Sequence, residues 1–360
     1  VRSRGLGDVY KRQDMIMDGN FYIGTCAIDL TYKCTFRCLH CFNSSGEHSL
    51  NKQELSDAEI LQFIDDINNY SVGLISIGGG EALLRKELIL QISDYLSGNN
   101  SKIDLALVTN GYLMTKEYAS QLRLPNIRSV QVSLDGFKEN HERMRNMKGS
   151  YDRAIESIKY LIDAGHTVAV SFAPTKFNID DIDELFEFVK KLGVKFFRCQ
   201  PLMLLGRARK NLQSFIPTYE DYQKVSFILA KKRKENPKMY VEWGDPLEHI
   251  AKGRIKQPML SYFSISAYGD ILISPYIPIT CGNIRKHSIR EYIEGGLLDI
   301  WNNKYLQEVA ARMNDTSEMD LQKFGLPEIF IDEAIDLDIL SPDYRQKTEE
   351  LCRSLAVTVR

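Results

Sequence analysis

Several features that define large classes of proteins are missing from this sequence of 360 residues. No apolar run approaches the roughly 20 residues that a membrane-spanning helix needs, and no basic segment followed by an apolar one marks a secretory signal. The formal net charge is −2, which predicts no general affinity for nucleic acid or for anionic membranes. We therefore expect neither nucleic acid nor a membrane among the partners of this protein.

Cysteine is also scarce, with seven residues, and the four outside one cluster are scattered along the chain. That distribution does not form the regular framework of a disulfide-stapled secreted domain. The sequence shows no low-complexity segment and no repeat beyond an alternation of strands and helices. Its content of hydrophobic residues is 44%, which suits a globular fold with a complete core.

Three of the cysteines, Cys34, Cys38 and Cys41, stand in one short loop with the sequence CTFRCLHC. Thiolates are the usual ligands of iron–sulfur clusters, and three of them would hold three corners of a cubane while one iron stays open. An open coordination position is what allows a metal site to bind substrate. The alternative is a structural zinc site, which needs a fourth ligand. His40 is badly placed for that role, whereas His48 could reach the ion.

From residue 24 onward, short β-rich runs alternate with amphipathic helical patterns. Strands that alternate with helices predict βαβ units, a parallel sheet and right-handed crossovers. Six such units predict an α/β protein with an open, partial (β/α)6 barrel. The strands are predicted at about residues 24–31, 72–78, 103–109, 128–134, 167–174 and 194–201, and the helices between them at about 56–69, 85–97, 115–122, 151–164 and 179–192.

Short motifs follow four of these strands. The cysteine loop follows the first strand, GGGE at 78–81 the second, TNG at 109–111 the third and SLDG at 133–136 the fourth. Because ligands of parallel α/β folds bind at the carboxyl ends of the strands, the motifs predict one shared site. This set in this order resembles the radical S-adenosylmethionine (radical SAM) superfamily, over about residues 24–210. The resemblance implies a TIM-like partial barrel, a 4Fe-4S cluster and SAM as cofactors.

In this family three cysteines hold the cluster, and its open iron binds the amino and carboxylate groups of SAM. One electron then cleaves a carbon–sulfur bond and yields a 5′-deoxyadenosyl radical. The resemblance therefore implies that the three clustered cysteines are the metal ligands, and it assigns SAM contacts to residues in the matching motifs. For the carboxylate, Arg143 is an alternative to the matching arginine. The predicted SAM-binding set is His40 beside the adenine, Gly79, Gly80 and Glu81 around the amino group, Ser133 and Arg145 at the carboxylate, and Asn110 and Asn178 toward the ribose.

The segment 216–360 resembles the SPASM/twitch extension of radical SAM maturases. Two β-rich arms flank Gly269-Asp270, which predicts a hairpin. Where that extension has Pro-Cys after its hairpin, this chain has Pro275-Tyr276, and only Cys281 remains nearby. Since one thiolate cannot hold a cluster, we expect an extension that keeps its fold without an auxiliary cluster. The predicted division is a barrel at 24–215 followed by a smaller α+β extension.

The first residues are expected to lie outside the fold. Residues 1–13 (VRSRGLGDVYKRQ) resemble a translated sequencing adapter, so the natural start would be Met15 or Met17. We predict that residues 1–23 are an artefact or disordered. The last residues, 357–360, show no pattern that marks the end of a chain, so either a natural or a truncated C-terminus fits the sequence.

Two isolated cysteines suggest a further role. Cys199 falls in the sixth predicted strand and Cys281 in the extension. A thiol can give a hydrogen atom to a carbon radical, which is how radical peptide epimerases quench theirs. The alternative for each is a small buried hydrophobic residue.

The resemblance implies an enzyme that cleaves SAM reductively and abstracts hydrogen from its substrate. Since maturases with this extension mostly modify peptides, we expect a ribosomally synthesised peptide, changed by epimerisation or cross-link formation. Expected partners are an electron donor such as flavodoxin or ferredoxin and a separate leader-peptide-binding protein, with the extension as the alternative for leader recognition. The alternatives are a small molecule or a tetrapyrrole or other cofactor precursor as substrate, and, from another class, a non-catalytic iron–sulfur or zinc protein. An oxygen-sensitive cluster predicts a reducing compartment, the cytoplasm.

Overall fold

The computed structural model of the chain describes residues 22–47, 52–244, 250, 262–313 and 334–357. Most of the segment expected to precede the fold lies outside these residues, and the first strand begins two residues earlier than predicted. None of the helices in the described ranges is both long enough and apolar enough to cross a bilayer.

An eleven-stranded sheet organises the described residues. Its strands β1 to β7 follow one another in chain order, and each neighbouring pair runs parallel. This confirms the predicted α/β fold with a parallel, TIM-like arrangement. The strands are β1 Tyr22–Asp29, β2 Ser71–Gly78, β3 Asp104–Thr109, β4 Ile127–Ser133, β5 Val168–Phe172, β6 Phe196–Cys199 and β7 Tyr240–Trp243.

Helices fill the crossovers because apolar residues recur at helical spacing. In α6 the buried residues are Ile182, Leu185, Phe186 and Val189, which form the predicted stripe. That helix stops where Gly193 adopts a left-handed conformation with φ +103°. The helices of this part are α1 Asp57–Asn68, α2 Lys86–Gly98, α3 Lys116–Gln121, α4 Lys138–Arg145, α5 Ser150–Asp163, α6 Ile182–Leu192, α7 Arg207–Asn211 and α8 Tyr219–Glu235.

The parallel part of the sheet is longer than the six predicted strands. Helix α8 leads into β7, which pairs in parallel with β6 and sets Val241 opposite Phe197. The chain beyond residue 215 thus adds a seventh strand to the barrel sheet. The division at residue 215 stays a prediction, although the sheet continues across it.

The extension adds strands to the other edge of the sheet. Strand β8 pairs in parallel with β1, and β9 returns antiparallel to β8, which confirms the predicted hairpin. Strand β10 is antiparallel to β9, and β11 is parallel to β10. The elements of this part are β8 Tyr262–Ile265, β9 Asp270–Leu272, β10 Ile279–Asn283, β11 Ile335–Asp336, α9 Ile289–Glu294, α10 Lys304–Arg312 and α11 Tyr344–Val357.

One cluster of buried apolar residues runs from the barrel into the extension. It contains Ile28 of β1, Phe263 of β8 and Ile279 of β10, and the side chains of all three are fully buried. Because tightly packed interiors resist displacement, this shared core fixes the hairpin of the extension against the barrel. Residues on the hairpin can therefore take part in a site inside the barrel.

Candidate active site

A cavity of about 690 Å³ lies inside the barrel. Successive residues of a strand point to opposite faces of the sheet, so one set faces the cavity and the other faces the helices. The cavity-facing set is mostly small and polar, which leaves the interior open and supplies hydroxyl and amide groups. It includes Thr25, Ser76, Ser129, Gln131, Ser133 and Ser171.

The cysteine loop lies just after β1, at the carboxyl ends of the strands. Burial raises the pKa of the Cys38 thiol to about 12, Arg145 lowers that pKa, and the charges of Cys41 and Cys34 raise it again. The pKa of Cys34 is likewise raised by burial and by Cys41. The three thiols therefore lie close enough to influence one another's ionisation. The raised pKa values keep Cys34 and Cys38 neutral at pH 7 in the absence of a metal, whereas a bound metal would be held by their thiolate forms.

Arg207 of α7, in the segment that follows β6, holds the cysteine loop that follows β1. Its Nε donates to the carbonyl of Cys38 at 2.8 Å, and its backbone N–H donates to that of Cys41 at 3.0 Å. Its Nη1 donates to the carbonyl of Ser45 at 3.1 Å and lies 3.1 Å from a carboxylate oxygen of Glu47. The side chain is 7% exposed. Arg207 thus fixes the backbone that carries two of the three thiols.

Sequence reasoning missed this arginine. The available signal was the pair Gly206-Arg207 in the turn-rich stretch after the sixth predicted strand. Gly206 is needed there because a Cβ atom would lie 2.3 Å from the carbonyl oxygen of Phe42, next to the last cysteine. A glycine that approaches a ligand-bearing loop so closely marks a contact between two distant parts of the chain.

The glycines of the GGGE motif pack against the segment that leads into the cysteine loop. Gly80 donates to the carbonyl of Thr31 at 2.7 Å, and Glu81 donates to that of Lys33 at 3.0 Å. A Cβ atom on Gly79 would lie 2.4 Å from the oxygen of Thr31, and one on Gly80 2.3 Å from the oxygen of Lys33. The close approach that requires these glycines is therefore to the chain's own backbone. Their assignment to SAM stays a prediction.

The carboxylate of Glu81 is buried and links the GGGE motif to the TNG motif. It accepts from the hydroxyl of Thr109 at 2.6 Å, from the backbone N–H of Asn110 at 2.9 Å and from that of Leu83 at 3.0 Å. Burial raises its pKa, while these hydrogen bonds and Arg145 lower it. An ionised carboxylate offers about four acceptor positions, so one remains for an ammonium group.

Asn110 carries one polar group that is hydrogen-bonded within the fold and one that is not paired with any described residue. Its Oδ1 accepts from the backbone N–H of Tyr112 at 2.9 Å. Its Nδ2 is buried and has no hydrogen-bond partner within the part of the chain that the structure describes. A buried donor without a partner is costly, and a bound molecule with an acceptor oxygen would relieve that cost.

The structure separates the two arginines considered for the SAM carboxylate. The guanidinium of Arg143 stacks on two phenyl rings at 4.2 and 4.7 Å from their centroids, away from the cavity. Arg145 lines the cavity, pairs with Asp135 at 2.7 Å and directs its Nη1 toward the sulfur of Cys38 at 4.0 Å. Asp135 thus orients Arg145 toward the cysteine loop. The geometry favours Arg145, and its role in binding SAM stays a prediction.

His40 also lines the cavity, and its Nε2 lies 3.9 Å from Oδ2 of Asp135. Burial and the charges of Arg145 and Arg207, opposed by the charge of Asp135, lower the pKa of His40 to about 4, so the ring is neutral at pH 7. A neutral imidazole can pack flat against a base, as the resemblance implies. Ser133, at the end of β4, lines the same cavity.

Three of the predicted site residues, His40, Ser133 and Arg145, line the cavity wall. The other predicted residues are not on that wall, and three of them are buried within the fold itself. Asn178 is fully buried, and its Nδ2 donates to the carbonyl of Asp135 at 3.0 Å, which is a structural contact. Cys199 is fully buried on the face of β6 that points away from the cavity, and Cys281 is fully buried in β10. Their assigned roles stay predictions, and these positions weigh against them. His48, the fourth zinc ligand considered, lies outside the described residues.

The residues present fit an iron–sulfur cluster with one open iron. Three thiols share one loop, Arg145 supplies positive charge beside them, and the backbone N–H of Phe36 donates to the sulfur of Cys34 at 3.4 Å. Hydrogen bonds to sulfur and nearby charge are the means by which proteins tune such clusters. No three His, Cys, Asp or Glu side chains in the described ranges are placed to hold one metal ion. A cubane makes no such demand, because each thiolate binds a separate iron.

Comparison with known proteins gives consistent matches. The model of the radical SAM superfamily matches residues 28–189. The AdoMet-dependent heme synthase of Methanosarcina barkeri is 27% identical over 315 residues, which are 81% of this chain and 85% of that protein. The mycofactocin maturase MftC of Mycolicibacterium smegmatis is 31% identical over 292 residues, which are 77% of this chain and 70% of that protein. SuiB of Streptococcus suis, solved bound to precursor peptide SuiA, shares the fold with a TM-score of 0.61 at 16% identity, covering 92% of this chain and 76% of that one.

Proposed function

The chain belongs to the radical SAM superfamily, and from that premise we propose that it modifies a ribosomally synthesised peptide by epimerisation or cross-link formation. It is a SAM-dependent iron–sulfur enzyme. The observation that carries the peptide assignment is the 31% identity to a mycofactocin maturase, which extends over 77% of this chain and 70% of that protein. The shared fold with a protein solved in complex with a precursor peptide supports the same substrate class.

We assign the cluster to Cys34, Cys38 and Cys41. The bound cofactors would supply a 5′-deoxyadenosyl radical, which takes a hydrogen atom from the substrate. Arg145, oriented by Asp135, offsets the negative charge of the thiolates and offers its remaining guanidinium donors to the carboxylate of SAM. These residues place the cofactors at the carboxyl end of the cavity, so the substrate would occupy the cavity itself.

The remaining assignments concern His40 of the cysteine loop and residues at the carboxyl ends of β2 and β3. Glu81 would accept a hydrogen bond from the ammonium group of SAM, for which one acceptor position remains. The Nδ2 of Asn110 would donate to the ribose, and the neutral ring of His40 would pack on the adenine. Gly79 and Gly80 hold the motif against the cysteine loop, so they would act on SAM by positioning Glu81.

Anaerobic reconstitution with iron and sulfide tests the cofactor assignment. We expect a brown protein that, with a low-potential reductant, converts SAM to 5′-deoxyadenosine and methionine. Colourless protein with bound zinc, or a cluster that leaves SAM intact, would contradict it. A matched sample without reductant controls for spontaneous SAM breakdown.

A second candidate substrate is a tetrapyrrole, because the heme synthase match covers 85% of that protein and 81% of this chain. The two substrates can be separated by incubating the reconstituted enzyme with a peptide encoded beside its gene and, separately, with iron coproporphyrin III. A mass change in the peptide that requires SAM and reductant supports the first assignment. A SAM-dependent change in the porphyrin alone would replace it with the second.

The proposed chemistry requires an electron, which we assign to a flavodoxin or ferredoxin. We assign leader recognition to a separate protein, with the extension as the alternative. We place the enzyme in the cytoplasm, because a cluster held by thiolates needs a reducing compartment and all seven cysteines are free thiols in the structure. Turnover supported by purified flavodoxin in place of dithionite checks the electron donor. Co-purification of the enzyme with the product of a neighbouring small gene checks the leader-binding partner.

A further inference from the structure

We propose that the cavity contains a carboxylate-binding subsite formed by Arg198, with Gln200 and Tyr276 beside it. This inference rests on the proposed function, because the carboxylate belongs to the substrate. Arg198 and Gln200 are two residues apart on β6 and both line the cavity. That spacing puts them on the same face of the strand, about 6.6 Å apart along it. None of the assignments to the cluster or to SAM uses these residues.

The guanidinium of Arg198 has unused hydrogen-bonding capacity. Its Nε is buried and has no hydrogen-bond partner within the ranges that the structure describes. The carboxylate paired with it, on Glu242 of β7, has its Oε2 3.9 Å from that Nε, which is too far for a hydrogen bond. Arginine presents five donors in a planar fork that matches a carboxylate with two parallel hydrogen bonds. A substrate carboxylate would therefore accept from the Nε donor, which has no partner among the described residues.

Tyr276 connects this arginine to the cluster end of the cavity. The Nε2 of Gln200 donates to its hydroxyl at 2.5 Å, and its ring meets that of Phe42 at 5.5 Å between centroids. Phe42 directly follows Cys41. Burial raises the pKa of Tyr276, and the charge of Arg198 lowers it. The guanidinium therefore lies near enough to the tyrosine hydroxyl to influence its ionisation. Tyr276 thus stands at the position where related extensions carry a cluster cysteine, and here it faces the cavity.

The charges on the cavity wall assign the subsite to an anion. Arg145 makes a direct contact of 2.7 Å with Asp135, whereas the ion pair that Arg198 makes within the described residues is the longer contact with Glu242. Arg198 is accordingly the more available cation on the described wall. Both candidate substrates supply the matching group, either as an acidic or terminal carboxylate of a peptide or as a propionate of a tetrapyrrole. In either case the bound group is a carboxylate. Arg198, two residues before Gln200 in the chain, would hold it deeper inside the barrel.

Calorimetric titration of the reconstituted protein with bound SAM tests the subsite with paired probes. The peptide pair is acetyl-Ala-Glu-Ala-amide and acetyl-Ala-Gln-Ala-amide, and the porphyrin pair is iron coproporphyrin III and its tetramethyl ester. We expect one acidic probe to bind at least about tenfold more tightly than its neutral partner, as loss of a charge-assisted hydrogen bond implies. The pair that shows this difference identifies the source of the carboxylate.

Variants sharpen the test because two changes act in opposite directions. Arg198→Gln should remove the preference for the acidic probe, and Glu242→Gln should increase it severalfold, an effect that misfolding cannot produce. The matched control is Arg128→Gln, which removes the same charge from an exposed side chain on β4 and should change nothing.

An Arg198→Gln variant that keeps the preference, or that loses both probes equally while folded, would overturn the subsite. So would wild-type protein that binds neither acidic probe, or a Glu242→Gln variant without increased preference. Substrate-free cleavage of SAM is measured on the same samples and needs no substrate carboxylate. Its absence in the wild type rejects the proposed function, whereas normal cleavage without charge preference rejects the subsite alone.

Discussion

The cysteine loop and strand β10 each contain a buried cysteine, Cys38 and Cys281, but the charged groups near the two thiols differ in sign. Burial raises the pKa of both Cys38 and Cys281. For Cys38 the nearest strong influence is Arg145, which lowers the pKa, whereas for Cys281 the charges of Asp338 and Asp336 raise it further. Because metals bind thiolates, positive surroundings favour a metal ligand and negative surroundings oppose one. The comparison teaches that a cysteine's environment, more than its sequence neighbours, indicates whether it can hold a metal.

The two regions also differ in what their glycines do. Beside the cysteine loop, glycines allow one ligand-bearing loop to approach another. In β10, Gly282 has φ +153°, and a Cβ atom there would lie 2.2 Å from the ring of Tyr292. The hydroxyl of Tyr292 accepts from the backbone N–H of Asn283 at 3.0 Å. Gly282 and Asn283 of the extension therefore pack against a buried tyrosine, and the absence of an auxiliary cluster there stays a prediction.

The largest effect should come from removing a thiol on one side of this comparison. Cys38→Ala should abolish iron incorporation and SAM cleavage, because two thiolates remain where the cluster requires three. We expect the loss to exceed the roughly 10- to 100-fold cost of changing a residue that supports a metal ligand. Iron and sulfide content, together with the absorbance of the reconstituted protein, measure it.

The matched control for that change is Cys281→Ala, which removes an equally buried thiol from the extension. It should leave iron content at the wild-type level. Reduced iron binding in both variants to the same degree would show that loss of the fold, and not loss of a ligand, explains the result.

A second test concerns the support of the loop. Arg207→Gln removes the guanidinium that donates to the carbonyl of Cys38, so the loop should hold its cluster about 10- to 100-fold less tightly. The rate of iron loss to a chelator and the electron paramagnetic resonance spectrum of the reduced cluster measure the change. Lys210→Gln on the same helix removes an exposed charge and should behave as wild type. Equal iron loss in both variants would contradict the role of Arg207.

The sequence predicted the parts of this site that depend on chain-local patterns. The alternation of strands and helices and the motifs after each strand were enough to bring the cysteine loop, Glu81 and Asn110 to one end of the barrel. The contacts that cross the fold were not predictable in this way. Arg207 is more than 160 positions from the cysteine loop in the sequence. Arg143 is distinguished from Arg145 by its stacking on aromatic rings, a contact that depends on the tertiary fold. The sequence also did not show that β7 belongs to the barrel sheet. That assignment depends on its pairing with β6, which local patterns do not specify.

Acid should weaken the barrel site before the extension. Burial and Arg145 lower the pKa of His141 to about 3, and its Nδ1 accepts from the backbone N–H of Asp135 at 3.1 Å. Since the folded-state pKa lies below the unfolded value of about 6.5, protonation favours unfolding. The stabilisation is complete above about pH 6.5 and is lost as the pH falls toward about 3.

His141→Gln keeps an acceptor and removes the titration, so the fall in unfolding free energy between pH 6 and 4 should become shallower. One proton corresponds to about 1.4 kcal/mol per pH unit. Chemical denaturation at several pH values measures the slope. His40, whose pKa burial lowers to about 4, still contributes in this variant. The control is His287→Gln, at an exposed side chain in the extension, and an equal change in slope there would contradict the assignment to the barrel site.

The smallest effect is expected where the comparison began, at Cys281. Replacing this buried thiol with alanine removes one sulfur from the core and should cost about 1 kcal/mol of unfolding free energy, the typical size of a mutational effect. Cluster content, SAM cleavage and product yield should stay at the wild-type level, because the side chain is fully buried and outside the cavity wall. The same holds for Cys199→Ala. If either variant cleaves SAM normally yet fails to complete the product, its thiol must reach the substrate radical, and the separation between the two regions drawn from their surroundings would no longer hold.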